Sequence, residues 1–315
     1  MSVGWLYHRD FLLHDTGADH PERPERLGAI IEGLTTAGLL DRMVALPFDP
    51  APIAAIERVH HPAYVELVRR ACEDGFTMIG SRETAISPRS FDVARLAAGA
   101  ALAACDAAMA RRINRAFCAV RPPGHHAMSD QAMGYCLFNN VAIAAEHLVH
   151  AHRMSRVAIV DIDVHHGNGT QAAFESRADV LYISLHQSPR TLFPGTGSET
   201  DAGTGAGQGF TLNIPFMPGA DDRDYRAAFE RQVIPALEAY EPQFLLTGTG
   251  FDALAEDRTA NINLSPDCYG WMTRKLVQAA GRCCDGRLVS VLEGGYHLRG
   301  LASAAIQHVQ ALVNS

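Results

Sequence analysis

Apolar residues along this chain gather into short runs of strand length, at residues 3–7, 116–120 (AFCAV), 156–160 (RVAIV), 180–184 (VLYIS), 210–214 (FTLNI), 243–247 (QFLLT) and 288–292 (LVSVL). Most are apolar at successive positions. That is the pattern of a strand covered on both faces, which is characteristic of parallel sheets flanked by helices. Helical stretches separate the runs, over 91–111, 139–153, 223–240, 266–281 and 299–313. Strands alternating with helices predict an α/β fold with a largely parallel central sheet, in a single domain spanning residues 1–315. There is no internal repeat, low-complexity tract or dividing linker, and the Gly-rich stretch at 195–209 reads as a shaped loop within the domain.

Ligands of such folds bind in the crevice beyond the carboxyl ends of the strands. The segments that follow the runs at 116–120, 156–160, 180–184, 243–247 and 288–292 read RPPGHH, DIDVHHGNG, LHQ, GTGFD and EGGYH. Five strand ends therefore carry the unusual polar residues of the chain.

In AIVDIDVHHGNGTQ (158–171), Asp161, Asp163 and His165 alternate with Ile162 and Val164, so at period two the polar residues share one side while the apolar ones face the core. Two buried carboxylates without partners are costly, and a cation is one of few remedies. Carboxylate oxygen and imidazole nitrogen both suit Zn²⁺. A set of hydrogen-bonded buried polar groups is the competing reading. Asp252 of GTGFDAL, just beyond another apolar run, is placed to supply a third ligand. Two carboxylates and one imidazole leave coordination positions open, the mark of a catalytic metal. The donor set also admits Fe²⁺, Co²⁺ or Mn²⁺.

RPPGHHA (121–127) holds His125 and His126 on a loop stiffened by Pro122 and Pro123. One imidazole suits proton transfer, and the other, kept charged by a carboxylate such as Asp161, suits electrostatic stabilisation. A chance pair among 15 histidines is the alternative. In EGGYH (293–297), the Tyr296 phenol is a candidate donor to a developing oxyanion, against a plain packing role.

Composition narrows the class. The 315 residues are 47% hydrophobic and 20% charged, an ordinary globular balance. A net charge of −8 argues against direct nucleic-acid binding. Seven scattered cysteines (Cys72, Cys105, Cys118, Cys136, Cys268, Cys283 and Cys284) without CxxC spacing suit a reducing cytosol. No start resembling a secretory signal and no apolar stretch approaching the ~18 residues of a membrane span are present, so the expectation is a cytoplasmic protein with no membrane partner.

Eight segments in order, HPERPERL (20–27), RPPGHHA (121–127), GYCLFNNVA (134–142), DIDVHHGNGTQ (161–171), SLHQ (184–187), FPGTG (193–197), GFDA (250–253) and LEGGYH (292–297), resemble the histone deacetylase superfamily, including bacterial acetylpolyamine amidohydrolases and class II deacetylases. HPERPERL and Asn168 are closer to the class II branch. The resemblance implies an arginase/deacetylase-like fold, Zn²⁺ on Asp163, His165 and Asp252, and hydrolysis of acylated lysine in a peptide or protein. It implies His126 as general base and acid, with Asn168 behind it, His125 hydrogen-bonded to Asp161, and Tyr296 polarising the scissile carbonyl. It further implies an acyl tunnel walled by Gly134, Tyr135 and Phe193, and K⁺ beside the first metal, held by Asp161, Asp163, His165, Ser184 and Leu185. This chain reads GTGFDAL where many relatives read SAGFDAH, and Asp257 and Arg258 replace a following DP. Thr259 stands where polyamine-selective relatives carry glutamate, which argues against acetylpolyamines. The rival readings are a deacylase of small acylated amines, a non-catalytic acyl-lysine binding protein, and a manganese ureohydrolase of similar fold, against which the single histidine ligand weighs.

Overall fold

The computed structural model of the chain, which describes residues 2–314, is organised on one eight-stranded sheet. Every predicted run forms a strand: β1 (Val3–Leu6), β3 (Arg115–Cys118), β4 (Val157–Asp161), β5 (Val180–Gln187), β6 (Thr211–Phe216), β7 (Phe244–Thr249) and β8 (Leu288–Leu292). The eighth, β2 (Val44–Ala45), is a two-residue exposed edge that no apolar run signals. All pairings are parallel, in the order β2-β1-β3-β8-β7-β4-β5-β6. The α/β architecture with a largely parallel central sheet expected from the sequence is therefore present. The five strands whose ends carry the polar segments, β3, β8, β7, β4 and β5, are consecutive neighbours. Parallel pairing brings all five carboxyl ends to one edge of the sheet.

Among the described residues ten α-helices connect the strands: α1 (Glu25–Thr36), α2 (Ile53–Ile56), α3 (Pro62–Glu73), α4 (Ser90–Met109), α5 (Asn140–His150), α6 (Asn168–Phe174), α7 (Asp222–Ala228), α8 (Ile234–Tyr240), α9 (Pro266–Cys283) and α10 (Leu298–Asn314). α4 and α5 pack together against the central strands, and α9 and α10, with α1 alongside, cover them from the other side. Ala97, Ala100, Ala101 and Ala104 of α4 are among its fully buried alanines and keep that helix close to the sheet. The helix ends follow local chemistry. Asn139 caps α5 by accepting from the Ala142 N–H, and Ser265 caps α9 by accepting from Cys268, ahead of Pro266 in the first turn.

The helix predicted over 223–240 is interrupted. α7 passes through a π turn at Phe229–Val233 before α8 begins. Pro235 explains the break, because it lacks the N–H that would bond one turn back and its ring crowds the carbonyl of residue 231; the wider turn accommodates both. Among the described residues no helix is long and apolar enough to cross a membrane. All seven cysteines are free thiols.

Candidate metal centre and its pocket

Beyond β4 the chain bends over residues 163–165; Ile162 and Val164 are fully buried in the core, while Asp161 and Asp163, also buried, reach His125 and His165 in the crevice. His165 follows, and Asp252 reaches the same point from the loop after β7. His165 Nδ1 lies 3.0 Å from Asp163 Oδ1 and 3.1 Å from Asp252 Oδ2. The remaining oxygens are engaged: Gly294 N–H donates to Asp163 Oδ2 at 2.8 Å and Val164 N–H to Asp252 Oδ1 at 3.0 Å. One oxygen of each carboxylate is thus left facing the imidazole. Glycine is required around the pair. A Cβ at Gly250 would run into Asp163, and one at Gly294 into Asp252.

The donor set fits a divalent cation. Burial opposes a charge on His165, yet Asp163 and Asp252 together raise its pKa to about 10. Two buried carboxylates demand positive charge between them. Burial and repulsion from Asp163 raise Asp252 to about 6. Two oxygens and one nitrogen converging in this way match a Zn²⁺-type site with open positions.

The paired histidines come from the loop after β3 and sit beside this point, their rings 4.1 Å apart. His125 Nδ1 is 2.9 Å from Asp161 Oδ2, which also accepts from the Tyr182 hydroxyl at 3.2 Å. Burial disfavours the imidazolium at His125, but Asp161 and Asp163 outweigh it and hold its pKa well above the ordinary histidine value. His126 Nδ1 is 2.8 Å from Asn168 Oδ1, so Nδ1 carries the proton and Nε2 presents a lone pair. Burial, followed by the charges of His125 and His165, pushes the His126 pKa well below its usual value. The two adjacent imidazoles are held in opposite protonation states.

Tyr296 is half-buried, and its hydroxyl has no hydrogen-bond partner among the described residues. With Gly134, Tyr135, Phe193, His126 and His165 it lines a cavity of about 230 Å³, whose remaining wall is Leu192, Glu83 and Thr259. Tyr135 meets Tyr296 edge-on at 5.8 Å, and Phe193 meets His126 edge-on at 5.0 Å. Gly134 and Tyr135 both have positive φ (56° and 67°), and a Cβ at Gly134 would strike the His126 ring. Of the residues expected beside K⁺, Asp161 pairs with Ser184 in the β4–β5 register, and Leu185 is next along β5. Burial raises the pKa of Asp161.

Other residues that shape the site had no assigned role. Glu22 and Arg26 of HPERPERL are fully buried. Arg26 donates to the Gly295 and Glu293 carbonyls, both at 2.6 Å, and its guanidinium lies 4.9 Å from the Tyr296 ring centre. Arg121 pairs with Glu22 at 2.5 Å, so Glu22 joins the EGGYH loop to the RPPGHH loop through two arginines. Glu293 Oε2 accepts from the N–H groups of Gly124 and His125, and burial raises its pKa to about 7. Asp257, one of the residues replacing DP, accepts from the N–H groups of Tyr296 and His297 at 2.6 and 3.0 Å. The altered loop holds the tyrosine by its backbone, while Arg258 is exposed. His166 and His186 anchor FPGTG, through Thr196 Oγ1 and the Gly197 carbonyl, both at 2.8 Å. Apart from the Glu22–Arg26 pair, which is four positions apart, no spacing rule would have found these contacts, since the other partners lie 11 to 269 positions apart.

Residues 20–312 match the family described as "Histone deacetylase domain". The chain is 43% identical over 279 residues to a "Histone deacetylase-like amidohydrolase" of Pseudomonas aeruginosa, covering 89% of this chain and 73% of that protein. It is 38% identical over 326 residues to the "Polyamine deacetylase HDAC10" of Homo sapiens, covering 99% of this chain and 48% of that longer protein. Among solved structures, the HDA15 HD domain superposes with a TM-score of 0.93 at 36% identity, covering 99% of this chain and 90% of that one.

Proposed function

The chain belongs to the histone deacetylase family, hydrolases of acetylated amides, and from that premise we propose that it removes acetyl or other acyl groups from lysine side chains of peptides or proteins, with Zn²⁺ (or Fe²⁺ or another divalent metal) held by Asp163, His165 and Asp252. The observation that carries this reading is the cavity of about 230 Å³, too small for a bulky ligand but suited to an extended aliphatic chain, ending on His126, His165 and Tyr296.

The metal, when bound, supplies Lewis-acid polarisation of the amide carbonyl and acidifies water. His126 Nε2, its lone pair fixed by the Nδ1–Asn168 bond, takes the proton of the attacking water and passes it to the leaving amine. The His125–Asp161 pair keeps positive charge beside that ring and prevents His126 from being protonated before the attack. Tyr296 donates its unpaired hydroxyl to the carbonyl oxygen as negative charge develops. Arg26, through the Gly295 and Glu293 carbonyls, and Asp257, through the Tyr296 N–H, hold that phenol in place. K⁺ on Asp161, Asp163, His165, Ser184 and Leu185 would offset the burial of Asp161. The free cysteines support a cytoplasmic setting.

Glu83 favours a second reading, hydrolysis of a small acylated amine such as an acetylpolyamine, because its carboxylate borders the cavity and would attract a cationic chain. Thr259, a neutral wall residue of the same cavity, weighs against it. A panel of acetyl-lysine peptides, longer acyl-lysines and acetylspermidine, run before and after chelation and with Zn²⁺, Fe²⁺ or Mn²⁺ restored, tests both. Acyl-lysine turnover lost on chelation and recovered with metal is expected. Turnover insensitive to chelation overturns the proposal, and acetylspermidine as the preferred substrate selects the second reading.

A further inference from the structure

Outside the crevice, a second group of metal-ligating side chains converges on the surface. Asp106 in the last turns of α4, His147 near the end of α5, and His152 in the turn that follows α5 bring one carboxylate oxygen and two imidazole nitrogens to a common point. Both Nε2 atoms, of His147 and His152, lie 2.7 Å from the same oxygen, Asp106 Oδ1. The two rings stand nearly perpendicular, 86° apart, with centres 5.2 Å from each other. The imidazoles are mostly covered, at 17% and 24% exposure, while Asp106 is about half exposed at 49%.

We propose that Asp106, His147 and His152 form a second transition-metal site, selective for Zn²⁺-type ions and independent of the catalytic centre. Both ring nitrogens are aimed at one oxygen, Asp106 Oδ1, although a second acceptor oxygen stands beside it. The same three atoms surround one point, as ligands of a single ion do. Ligand atoms of a tetrahedral Zn²⁺ site, with bonds of about 2.0–2.1 Å, are roughly 3.3 Å apart. Opening the present 2.7 Å contacts to that spacing takes a shift of about half an ångström, which the half-exposed Asp106 carboxylate can supply. Binding replaces the two Nε2 protons by one cation, moves each ring proton to Nδ1, and leaves a fourth position for water.

Two nitrogens and one oxygen make a softer set than the two oxygens and one nitrogen of the crevice. The surface site therefore disfavours Mg²⁺, Ca²⁺ and Mn²⁺ and favours Zn²⁺, Cu²⁺ or Ni²⁺. Its position gives it a structural consequence. The ligands belong to α4 and to the far end of α5, whose near end is fixed to the catalytic loop by Asn140 donating to the Pro122 carbonyl at 3.1 Å. An ion there clamps the two helices at the end remote from the chemistry. It stabilises the folded chain by mass action without entering the reaction.

The test is a Zn²⁺ titration of the tag-free, chelator-dialysed full chain by calorimetry, with bound metal counted by mass spectrometry, on wild type and on His147→Gln/His152→Gln. The expected result is one more equivalent in wild type than in the variant, together with a rise in melting temperature at Zn²⁺ above one equivalent that the variant lacks. Deacylase turnover with enough Zn²⁺ to fill both sites should be the same in both. The readout is the difference between the two proteins, so the occupancy of the crevice cancels. Equal stoichiometry in the two proteins overturns the proposal and leaves the cluster as a hydrogen-bonded clip between helices. A circular-dichroism spectrum matching wild type confirms that the variant is folded, and Asp106→Asn, which keeps the shape of the clip while removing the charged ligand, should also lose the extra equivalent.

Discussion

At the scale of single residues, the chemistry depends on a hydroxyl whose position is set by its backbone. Tyr296 is fixed by Asp257 at its N–H and by Arg26 beneath its ring, while its OH is left unpaired. Tyr296→Phe keeps the ring and the loop and removes only the donor. Loss of one oxyanion donor costs on the order of 10²–10³ in rate, so kcat on an acetyl-lysine peptide should fall by about that factor with KM little changed; wild-type turnover would show that the phenol does not touch the reacting carbonyl. Asp257→Asn tests the support. Oδ2 accepts from both the Tyr296 and His297 N–H groups and Oδ1 from Thr259, so the amide loses the charge and one of these two sets of acceptors, and kcat should fall less than in Tyr296→Phe. The candidate ligands and the histidine pair were legible in the sequence because their types are chemically distinctive and follow apolar runs directly. Asp257 was not, because an aspartate in a polar loop carries no mark of its partner, here 39 residues further on.

At the scale of elements, the strands were legible because a strand buried on both faces has no polar position to hide it. α1 was passed over, although Leu27, Ile30 and Leu34 recur at three and four positions and are fully buried. Its start reads as a charged motif, and the meaning of that motif is tertiary. Glu22 is held well below the usual carboxylate range because Arg121 and Arg26 outweigh the cost of its burial. A depressed carboxylate adds stability above its unfolded pKa and loses it as pH falls through the folded one, so at neutral pH the full contribution is present. Glu22→Gln leaves two buried guanidinium groups short of their counter-charge, and removing one partner of a buried pair costs about 3–5 kcal/mol. Urea unfolding at pH 7 should show that loss, with the kcat of the surviving folded fraction also reduced, since Arg26 holds the Tyr296 loop. A loss under about 1 kcal/mol would mean the surface-pair value applies and the network is not the joint between the loops.

At the scale of the whole molecule, the buried histidines make the fold sensitive to mild acid. His14, His60 and His186 have pKa values lowered by burial to about 4, and His308 to about 3. Each is neutral and hydrogen-bonded, as in the buried chain from Thr273 through His308 to Ser290 that ties α9 and α10 to β8. In the unfolded chain these imidazoles take up protons near pH 6.5. Between that value and their folded pKa the unfolded state binds more protons than the native one, so stability falls with falling pH, by about 1.4 kcal/mol per pH unit for each group. Above pH 6.5 the effect vanishes. Glu293, raised to about 7, acts in the opposite sense between pH 7 and the ordinary carboxylate range, as do Asp252, raised to about 6, and Asp161, also raised by burial. The histidines outnumber them. Above pH 6.5 the raised pKa of His125 acts the other way, so the urea midpoint should rise slightly as pH falls from 8 to 7 and then drop from 6.5 to 5, before the surface carboxylates begin to titrate. His308→Asn should lower the midpoint at pH 8, because its two hydrogen bonds are weakened, while flattening the drop below 6.5. A midpoint that stays level from pH 7 to 5 would show that these imidazoles are protonated in the native protein, and that the polar groups buried on the sheet are arranged around charge after all.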